Sequence, residues 1–280
     1  MKKTLKHHLK YLLPVGVKKL IKYTLYSIQD FSNWIRRKKL NGYPPKRLNF
    51  VGNSSFKAVG DEFFGYFKGI GQLKKSDIVL DVGSGIGRMA IPLTHYLTEG
   101  ELYGFDIYKK GVKWCQKNIS PKFPNFNFEY VDLYNKYYNK KGKIKAEDFE
   151  FPYEDNKFDF IYATSVFTHM LPEEVKQYFS EIKRVLKKDG RCLLTFFGIN
   201  ENKKILIENG YSKCDFKYEF SKNCFYSHKN VPEAETAYSE EWIIKQFEKI
   251  ECQSPKIYNG SWSGQKDSYS YQDIFIGTNK

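Results

Sequence analysis

The sequence predicts an α/β fold whose core is a doubly wound sheet of seven strands, mostly parallel with an antiparallel last strand. Short apolar segments typical of buried strands alternate with segments of helical periodicity from residue 55 onward. One of these strands runs directly into a glycine-rich turn, the place where open α/β sheets bind ligands. The chain has 280 residues, which is enough for one large domain with an appendage.

The predicted elements follow one another at the spacing of strand–helix–strand units. Helices are expected at 56–70, 88–97, 109–118, 172–186 and 239–249, the last with Ser239 as its N-cap. Strands are expected at 77–82, 101–106, 126–131, 158–163, 191–197, 250–258 and 269–277. Residues 200–237 show neither period and are predicted to be an irregular insertion. These elements would form one domain over residues 50–280.

The positive charge of the chain is concentrated in its first fifty residues. The formal net charge is +14, and residues 1–50 contain 13 Lys or Arg against one acid, Asp30. Residues 1–49 are therefore predicted to be a basic helical arm, with apolar residues from Leu13 to Ile35 on one stripe. Such a helix could pack on the body, lie on an anionic membrane surface through residues 1–40, or bind nucleic acid. The near-neutral remainder disfavours nucleic acid as the main partner.

Composition excludes several classes of protein. Aromatic residues make up 18% of the chain, which excludes global disorder. No run of 18 apolar residues occurs, which argues against a membrane-spanning helix. Five cysteines without a C-x-x-C pair disfavour a zinc site or a disulfide framework, so no metal is expected. We expect a cytoplasmic protein, peripheral at the inner membrane face if the arm docks there.

The strongest functional motif is VLDVGSGIGR, at residues 79–88. Its three glycines, Gly83, Gly85 and Gly87, would let the backbone turn tightly and approach a ligand closely. The next predicted strand ends in Asp106, where an acid can accept hydrogen bonds from a ribose. The motif therefore predicts a nucleoside-containing ligand at the carboxyl edge of the sheet.

Two residues of the motif distinguish between possible ligands. Arg88 occupies the position of the third glycine in dinucleotide-binding turns, and Asp81 would repel a pyrophosphate. A ligand with an amino-acid part, a ribose and no diphosphate fits better, and S-adenosylmethionine has this composition. An NAD-dependent oxidoreductase, which would share the sheet and Asp106, remains the alternative.

At this point the chain resembles the class I S-adenosylmethionine-dependent methyltransferases, and within them a bacterial subgroup that methylates small molecules or glycans. The resemblance covers residues 48–277 and includes SVFTHMLPEEV at 165–175 and GSWSGQKDSYSYQDIFIG at 260–277. It implies a Rossmann-like fold, the cofactor S-adenosylmethionine and the product S-adenosylhomocysteine. We also expect the insertion 200–237 to lie on the acceptor side, and Trp262, in a glycine-rich loop before the last strand, to border the acceptor pocket.

Carried over position by position, the resemblance implies cofactor contacts along the strand ends. Asp81 would hold the amino group, Asp106 the ribose hydroxyls and Asp132 the adenine amine. Asp132 can equally be a turn residue, and Arg88 can equally form a structural ion pair instead of binding the methionyl carboxylate. The other residues implied in cofactor binding are Gly83, Gly85, Gly87, Ile107, Leu133 and Ser165.

Methyl transfer to a hydroxyl requires a group that removes the hydroxyl proton. His169 follows the fourth strand, and a histidine side chain suits a base at neutral pH. A histidine that caps the next helix or shapes the pocket is the alternative, and His228 is a weaker candidate. The [DN]-P-P-[FY] motif of enzymes that methylate base or glutamine amines is absent after that strand. Together with the resemblance, this absence leads us to expect an acceptor hydroxyl on a saccharide or other small molecule, with an RNA methyltransferase as an alternative.

Overall fold

The computed structural model describes residues 21, 23–30, 32, 42–49 and 55–280. The chain divides into two units, Met1–Ala58 and Val59–Lys280. In the first unit, residues 23–30 are helical and Lys46–Leu48 form a 3₁₀ turn. The remaining positions of the predicted apolar stripe at 13–20, 22, 31 and 33–35 lie outside the described residues.

A seven-stranded sheet forms the centre of the second unit. Its strands are β1 (Ile78–Val82), β2 (Glu101–Asp106), β3 (Phe126–Tyr130), β4 (Phe158–Ala163), β5 (Leu186–Phe196), β10 (Lys256–Tyr258) and β11 (Asp273–Thr278). Their spatial order is β10-β11-β5-β4-β1-β2-β3. β1 to β5 are parallel, whereas β11 is antiparallel to both of its neighbours. The predicted fold class is confirmed.

Six helices are described beside these strands. They are α1 (Phe56–Gly69), α2 (Ala90–Leu93), α3 (Lys109–Asn118), α4 (Pro172–Val185), α5 (Glu201–Glu208) and α6 (Glu240–Lys249). Ser239 caps α6 as predicted, because its side chain accepts a hydrogen bond from the Trp242 N–H. None of the described helices has the length and apolarity needed to cross a membrane.

The predicted helix at 88–97 is wrong in length, since only the four residues of α2 are α-helical. The glycine turn extends as far as Arg88 and delays the start of the helix. At its other end, the Thr94 N–H and hydroxyl both donate to the Ile91 carbonyl, at 3.2 and 2.7 Å. This tight bonding over three residues replaces the α-helical pattern and ends the helix.

The prediction that residues 200–237 are irregular is also wrong. They contain α5 and the short strands β7 (Tyr218–Ser221) and β8 (Cys224–Tyr226). With β6 (Gly198–Ile199) and β9 (Thr236–Ser239) these strands form a second sheet, in the order β6-β9-β8-β7. Strands of two to four residues are too short to show an alternating pattern, which is why the sequence did not reveal them.

Both faces of the main sheet are covered by apolar side chains, as expected for parallel strands. One face packs in a cluster that includes Phe167, Phe179 and Phe196. The opposite face packs in a cluster where the Phe67 ring, from α1, stacks on the Tyr162 ring at 4.4 Å. The sheet is therefore held rigidly from both sides, and the polar residues that follow its strands are fixed at its carboxyl edge.

Candidate functional site

The backbone of the glycine turn is hydrogen-bonded to the neighbouring strand, β2. The backbone N–H groups of Gly83 and Ser84 both donate to the Phe105 carbonyl of β2, at 3.0 Å. Gly83, Gly85 and Gly87 have φ angles of +78°, +58° and +72°. These left-handed conformations explain why the motif contains glycine at all three positions. The turn thus brings its backbone to the ends of β1 and β2.

Asp106 ends β2 and reaches across to the same turn. Its Oδ2 atom accepts a hydrogen bond from the Gly85 N–H at 2.7 Å, and its Oδ1 atom accepts from the Tyr108 N–H at 2.6 Å. Burial raises the pKa of Asp106, while these two hydrogen bonds lower it. Each carboxylate oxygen has a second lone pair, so ribose hydroxyls could donate to Asp106 without breaking the turn.

Asp81 lies at the end of β1 with only 1% of its surface exposed. Its Oδ2 atom is buried and has no hydrogen-bond partner among the described residues. Burial and the negative charge of Asp106 raise the pKa of Asp81 to about 8, although the nearby Tyr162 hydroxyl lowers it. Ionised, a buried carboxylate with an unpartnered oxygen is costly, so this position fits a group that brings its own positive charge. The ammonium of an amino-acid ligand is such a group.

The residues expected around the adenine are partly or fully buried. Leu133 is 2% exposed and belongs to the core cluster, and Ile107 packs against the same cluster. The Asp132 Oδ1 atom accepts a hydrogen bond from the Tyr130 hydroxyl at 2.7 Å. The Asp132 carbonyl also accepts from the N–H groups of Lys143 and Ile144, which is the behaviour of a turn residue. The contacts of Ile107, Asp132 and Leu133 with adenine remain a prediction.

Arg88 ends the glycine turn and is half-buried. Burial lowers the pKa of its guanidinium. Its carbonyl lies beside Gly60 of α1, where a Cβ atom would come within 2.6 Å of the oxygen. The close approach of α1 fixes the end of the turn, so Arg88 is held near the predicted cofactor site.

His169 lies in the 3₁₀ turn Phe167–His169 that follows β4. Its Nδ1 atom is 2.9 Å from the Glu233 carbonyl, and its Nε2 atom is 3.2 Å from the Tyr138 hydroxyl. Because a carbonyl only accepts, Nδ1 carries the proton, and Nε2 of the neutral ring accepts from Tyr138. His169 does not cap α4, since the Glu174 carboxylate accepts from the Leu171 N–H at 2.6 Å.

His228, the weaker candidate, lies in the loop after β8, where its carbonyl accepts a hydrogen bond from the Val231 N–H at 2.9 Å.

Trp262 does not border a pocket, which corrects the expectation from the sequence. Its side chain is fully buried, and its indole N–H donates to Asp273 at 2.8 Å. No group of three or more His, Cys, Asp or Glu within the described ranges is arranged to hold a metal ion.

Several contacts around the candidate site were not identified from the sequence. Gly104 of β2 leaves room for the turn, since a Cβ there would lie 2.9 Å from the Ser84 Cβ. Tyr138 and Glu233 hold the His169 ring, and Gln272 binds Ser165, whose φ is +58°. A polar glutamine immediately before an apolar strand was the one available signal for Gln272. The other contacts join segments that are distant in the chain.

Comparison with known proteins connects this geometry to one family of folds. Residues 80–194 match a family model described as a methyltransferase domain. The chain is 22% identical over 154 residues to phosphoethanolamine N-methyltransferase 2 of Caenorhabditis elegans, covering 54% of this chain and 30% of that protein. It is 30% identical over 118 residues to ribosomal protein L11 methyltransferase of Dictyoglomus thermophilum, covering 42% and 32%. The chain spans about a third of the length of these curated relatives.

A solved structure shows the same fold. The S-adenosylmethionine-dependent methyltransferase from Methanosarcina mazei superposes with a TM-score of 0.51 at 18% sequence identity. The superposition covers 75% of this chain and 95% of that one. This likeness covers more of the chain than the matched segment 80–194.

Proposed function

We propose that this chain, which contains a methyltransferase domain of the class I fold, transfers the methyl group of S-adenosylmethionine to an acceptor hydroxyl. The domain match and the two curated relatives support S-adenosylmethionine-dependent methyl transfer. The observation that carries the cofactor assignment is the buried Oδ2 atom of Asp81, which has no hydrogen-bond partner among the described residues. The methionyl ammonium would provide the missing charge and hydrogen bond.

The roles of the side chains follow from their positions. S-adenosylmethionine supplies a methyl group on a sulfonium, so the protein need only align the acceptor and remove its proton. Asp81 and the glycine turn bind the amino-acid part, and Asp106 accepts from the ribose. The His169 Nε2 atom takes the acceptor proton once the acceptor hydroxyl replaces that of Tyr138. The Glu233 carbonyl keeps Nδ1 protonated and so keeps Nε2 available as the base.

A saccharide or other small hydroxyl compound is the acceptor class that we propose. Tyr137 stacks parallel to His169, with ring centroids 5.9 Å apart. Tyr271 is 44% exposed, and its hydroxyl is 3.2 Å from the Cys214 sulfur atom. The same sulfur atom lies 3.5 Å from the Glu235 carboxylate. Aromatic faces beside a carboxylate suit a ring with apolar faces and hydroxyl edges.

The cofactor is tested by calorimetric titration with S-adenosylmethionine, S-adenosylhomocysteine and NADH. We expect micromolar binding of both adenosyl ligands, and a loss of at least about tenfold in Asp106→Ala, which removes the acceptor of the Gly85 and Tyr108 N–H groups. Asp159→Asn is the matched control, because this acid lies near the start of β4, at the edge of the sheet away from the glycine turn, where it accepts from the Ile78 N–H. Binding of NADH alone would replace the methyltransferase proposal with the oxidoreductase alternative.

The acceptor is tested by following release of S-adenosylhomocysteine with a panel of monosaccharides, phenols, phosphoethanolamine and RNA. We expect release with hydroxyl acceptors of the first two classes. Release with phosphoethanolamine alone would indicate an N-methyltransferase, the activity named for the nematode relative. Release with RNA alone, weakened steeply by salt, would indicate the RNA alternative.

For the basic arm we propose docking on an anionic membrane surface, which would make the protein cytoplasmic and peripheral. Ile21, Leu25 and Ile28 share one helical stripe and are 46%, 59% and 62% exposed. The one acid of the arm, Asp30, is 8% exposed, and its Oδ2 atom lies 3.3 Å from the Arg47 guanidinium. The arm therefore combines exposed apolar side chains with a charge that is almost entirely positive, which suits an anionic lipid surface.

Vesicle sedimentation tests this docking. The full chain should sediment with phosphatidylglycerol-containing vesicles and remain in solution with phosphatidylcholine alone. Replacing Ile21, Leu25 and Ile28 by serine should abolish sedimentation without changing the affinity for S-adenosylhomocysteine. Failure of the unaltered chain to sediment with anionic vesicles would end this part of the proposal.

A further inference from the structure

One buried amide joins the ends of three strands beside the glycine turn. Gln272 immediately precedes β11 and is 8% exposed. Its Oε1 atom accepts hydrogen bonds from the Ser165 hydroxyl at 3.0 Å and from the Thr195 hydroxyl at 2.7 Å. Its Nε2 atom donates to the Thr168 hydroxyl at 3.4 Å. Gln272 therefore connects the loop after β4 with the end of β5.

The residue held by this amide has an unfavourable backbone conformation. Ser165 has a φ of +58°, in the left-handed region that is unfavourable for a non-glycine residue. Its N–H donates to the Thr195 hydroxyl at 2.8 Å, and its own hydroxyl donates to Gln272. Such strain persists only where the surroundings over-determine it. Gln272 and Thr195 together provide those surroundings.

The strained turn decides where the next side chain lies. Val166 follows Ser165, and a Cβ atom built on Gly83 would come within 2.5 Å of the Val166 Cγ2 atom. The loop after β4 thus contacts the first glycine of the turn with no space between them. A change in the backbone at Ser165 would move Val166 against or away from Gly83.

We infer that Gln272 is a positioning residue for cofactor binding, acting through the left-handed turn at Ser165 to seat Val166 against Gly83. The amide itself is not proposed to touch the cofactor. The inference rests on the proposed cofactor site, since it assigns an effect on the affinity of that site.

Gln272→Leu removes the amide and keeps the approximate volume. We expect the dissociation constant for S-adenosylhomocysteine, measured by calorimetry, to rise about tenfold. This factor corresponds to the cost of the left-handed conformation of Ser165, which Gln272 stabilises. Gln246→Leu is the matched control, because Gln246 is also a buried amide, 2% exposed, whose Nε2 donates to the Trp242 carbonyl at 3.0 Å in α6. It should leave this dissociation constant within about twofold.

The decisive experiment combines Gln272→Leu with changes at Ser165. Glycine adopts positive φ without support, so adding Ser165→Gly should recover most of the lost affinity. Adding Ser165→Ala removes the same hydroxyl but keeps the strain, so it should recover none. A merely structural role of Gln272 would give equal affinities for the two double variants, and this result would overturn the inference.

Two further outcomes separate this inference from the proposed function. If the unaltered chain fails to bind S-adenosylhomocysteine, the proposed function is wrong. If the unaltered chain binds and Gln272→Leu binds equally well, only the inference is wrong. Should Gln272→Leu fail to fold, Ser165→Gly and Ser165→Ala in the otherwise unaltered chain make the same comparison, with the glycine variant expected to bind more tightly.

Discussion

The Lys203 ammonium nitrogen lies 2.8 Å from the Asp273 Oδ1 atom, and neither side chain is exposed. Asp273 also accepts hydrogen bonds from the N–H groups of Gly260 and Gly198, at 2.7 and 2.8 Å. The Trp262 indole N–H donates to its Oδ2 atom at 2.8 Å. This carboxylate therefore joins the main sheet, through β11, to helix α5 and to β6 of the second sheet.

Removing the cation of this pair should strongly destabilise the second unit. Lys203→Met leaves Asp273 buried with its charge uncompensated, so we expect the free energy of unfolding to fall by about 3–5 kcal/mol in urea titration. Lys204→Met is the matched control, because the exposed Lys204–Glu201 pair, at 2.7 Å, is a surface ion pair worth about 0–1 kcal/mol. A similar loss in both variants would contradict a special role for Lys203.

Neutralising both partners separates the charge from the packing. In Lys203→Met with Asp273→Asn, the buried charge is absent, while an amide oxygen at position 273 can still accept from Gly198 or Gly260. We expect this double variant to be more stable than Lys203→Met alone, by about 1–2 kcal/mol. A double variant that is less stable would mean that the Asp273 carboxylate matters mainly through its hydrogen bonds.

Cofactor binding should release a proton from Asp81. Burial raises the pKa of this carboxyl to about 8, so below that pH the free protein holds it mainly protonated. A bound ammonium favours the ionised form, so binding near pH 7 releases about one proton. The affinity for S-adenosylhomocysteine should therefore increase as the pH rises towards about 8, and should decrease as the pH falls.

Calorimetry in two buffers of different ionisation enthalpy measures this proton. The apparent enthalpies should differ for the unaltered chain and agree for Asp81→Asn, which cannot ionise. Equal enthalpies for the unaltered chain would show that Asp81 does not change its protonation on binding.

The same raised pKa means that ionising Asp81 opposes folding, so the cofactor-free protein should lose stability as the pH rises from about 4 to 8.

Much of the fold follows from local sequence. The bounds of β2, α3 and β4 agree with the predicted ranges, because each element has a clear period and ends at a polar residue or turn. The predicted strand at 191–197 begins five residues earlier in the structure, at Leu186. The intervening segment KKDG resembles a turn, and no β4 partner is found for it, because the register shifts between the Leu186–Phe158 and Arg191–Phe160 pairs. Asp189 within it has a φ of +59°, so the strand includes a turn-like irregularity that the sequence did not predict as part of a strand.

The candidate site was predictable where one chain segment makes it. The glycine turn and Asp106 follow from spacing alone. The hydrogen bond that holds Ser165, in contrast, comes from Gln272, more than a hundred residues later. Trp262 was misplaced because a tryptophan in a glycine-rich loop looks exposed, while its indole N–H is bound by a buried carboxylate. Contacts between distant segments leave no periodic signal in the sequence.

Replacing two glycines by alanine should change the stability of the fold in opposite directions. Gly65 lies inside α1, where an added Cβ atom would meet nothing within 4 Å, so Gly65→Ala should stabilise the fold by about 0.5–1 kcal/mol. Gly87 has a φ of +72°, and its Cβ would lie 2.7 Å from the Ile119 Cδ1 atom. Gly87→Ala should therefore destabilise by about 1–3 kcal/mol. Thermal unfolding measures both, and an unchanged melting temperature for Gly87→Ala would argue against the described turn.

Replacing the proposed base should slow methyl transfer without weakening cofactor binding. His169→Ala should lower kcat by about 10²–10⁴ once an acceptor is found, while the affinity for S-adenosylhomocysteine stays within about threefold. Tyr138→Phe keeps the ring beside His169 but removes the hydroxyl that donates to Nε2, at 3.2 Å. Because the acceptor must displace this hydroxyl in the proposed mechanism, Tyr138→Phe should retain kcat or raise it.

The two variants together distinguish a base from a structural histidine. If His169 only joins Tyr138 to the Glu233 carbonyl, His169→Ala and Tyr138→Phe should both lower the melting temperature and leave kcat nearly unchanged. If His169 is the base, kcat of the unaltered chain should fall at low pH as Nε2 becomes protonated, and His169→Ala should lose that dependence. Release of S-adenosylhomocysteine across the pH range measures both, and a normal rate for His169→Ala removes this residue from the mechanism.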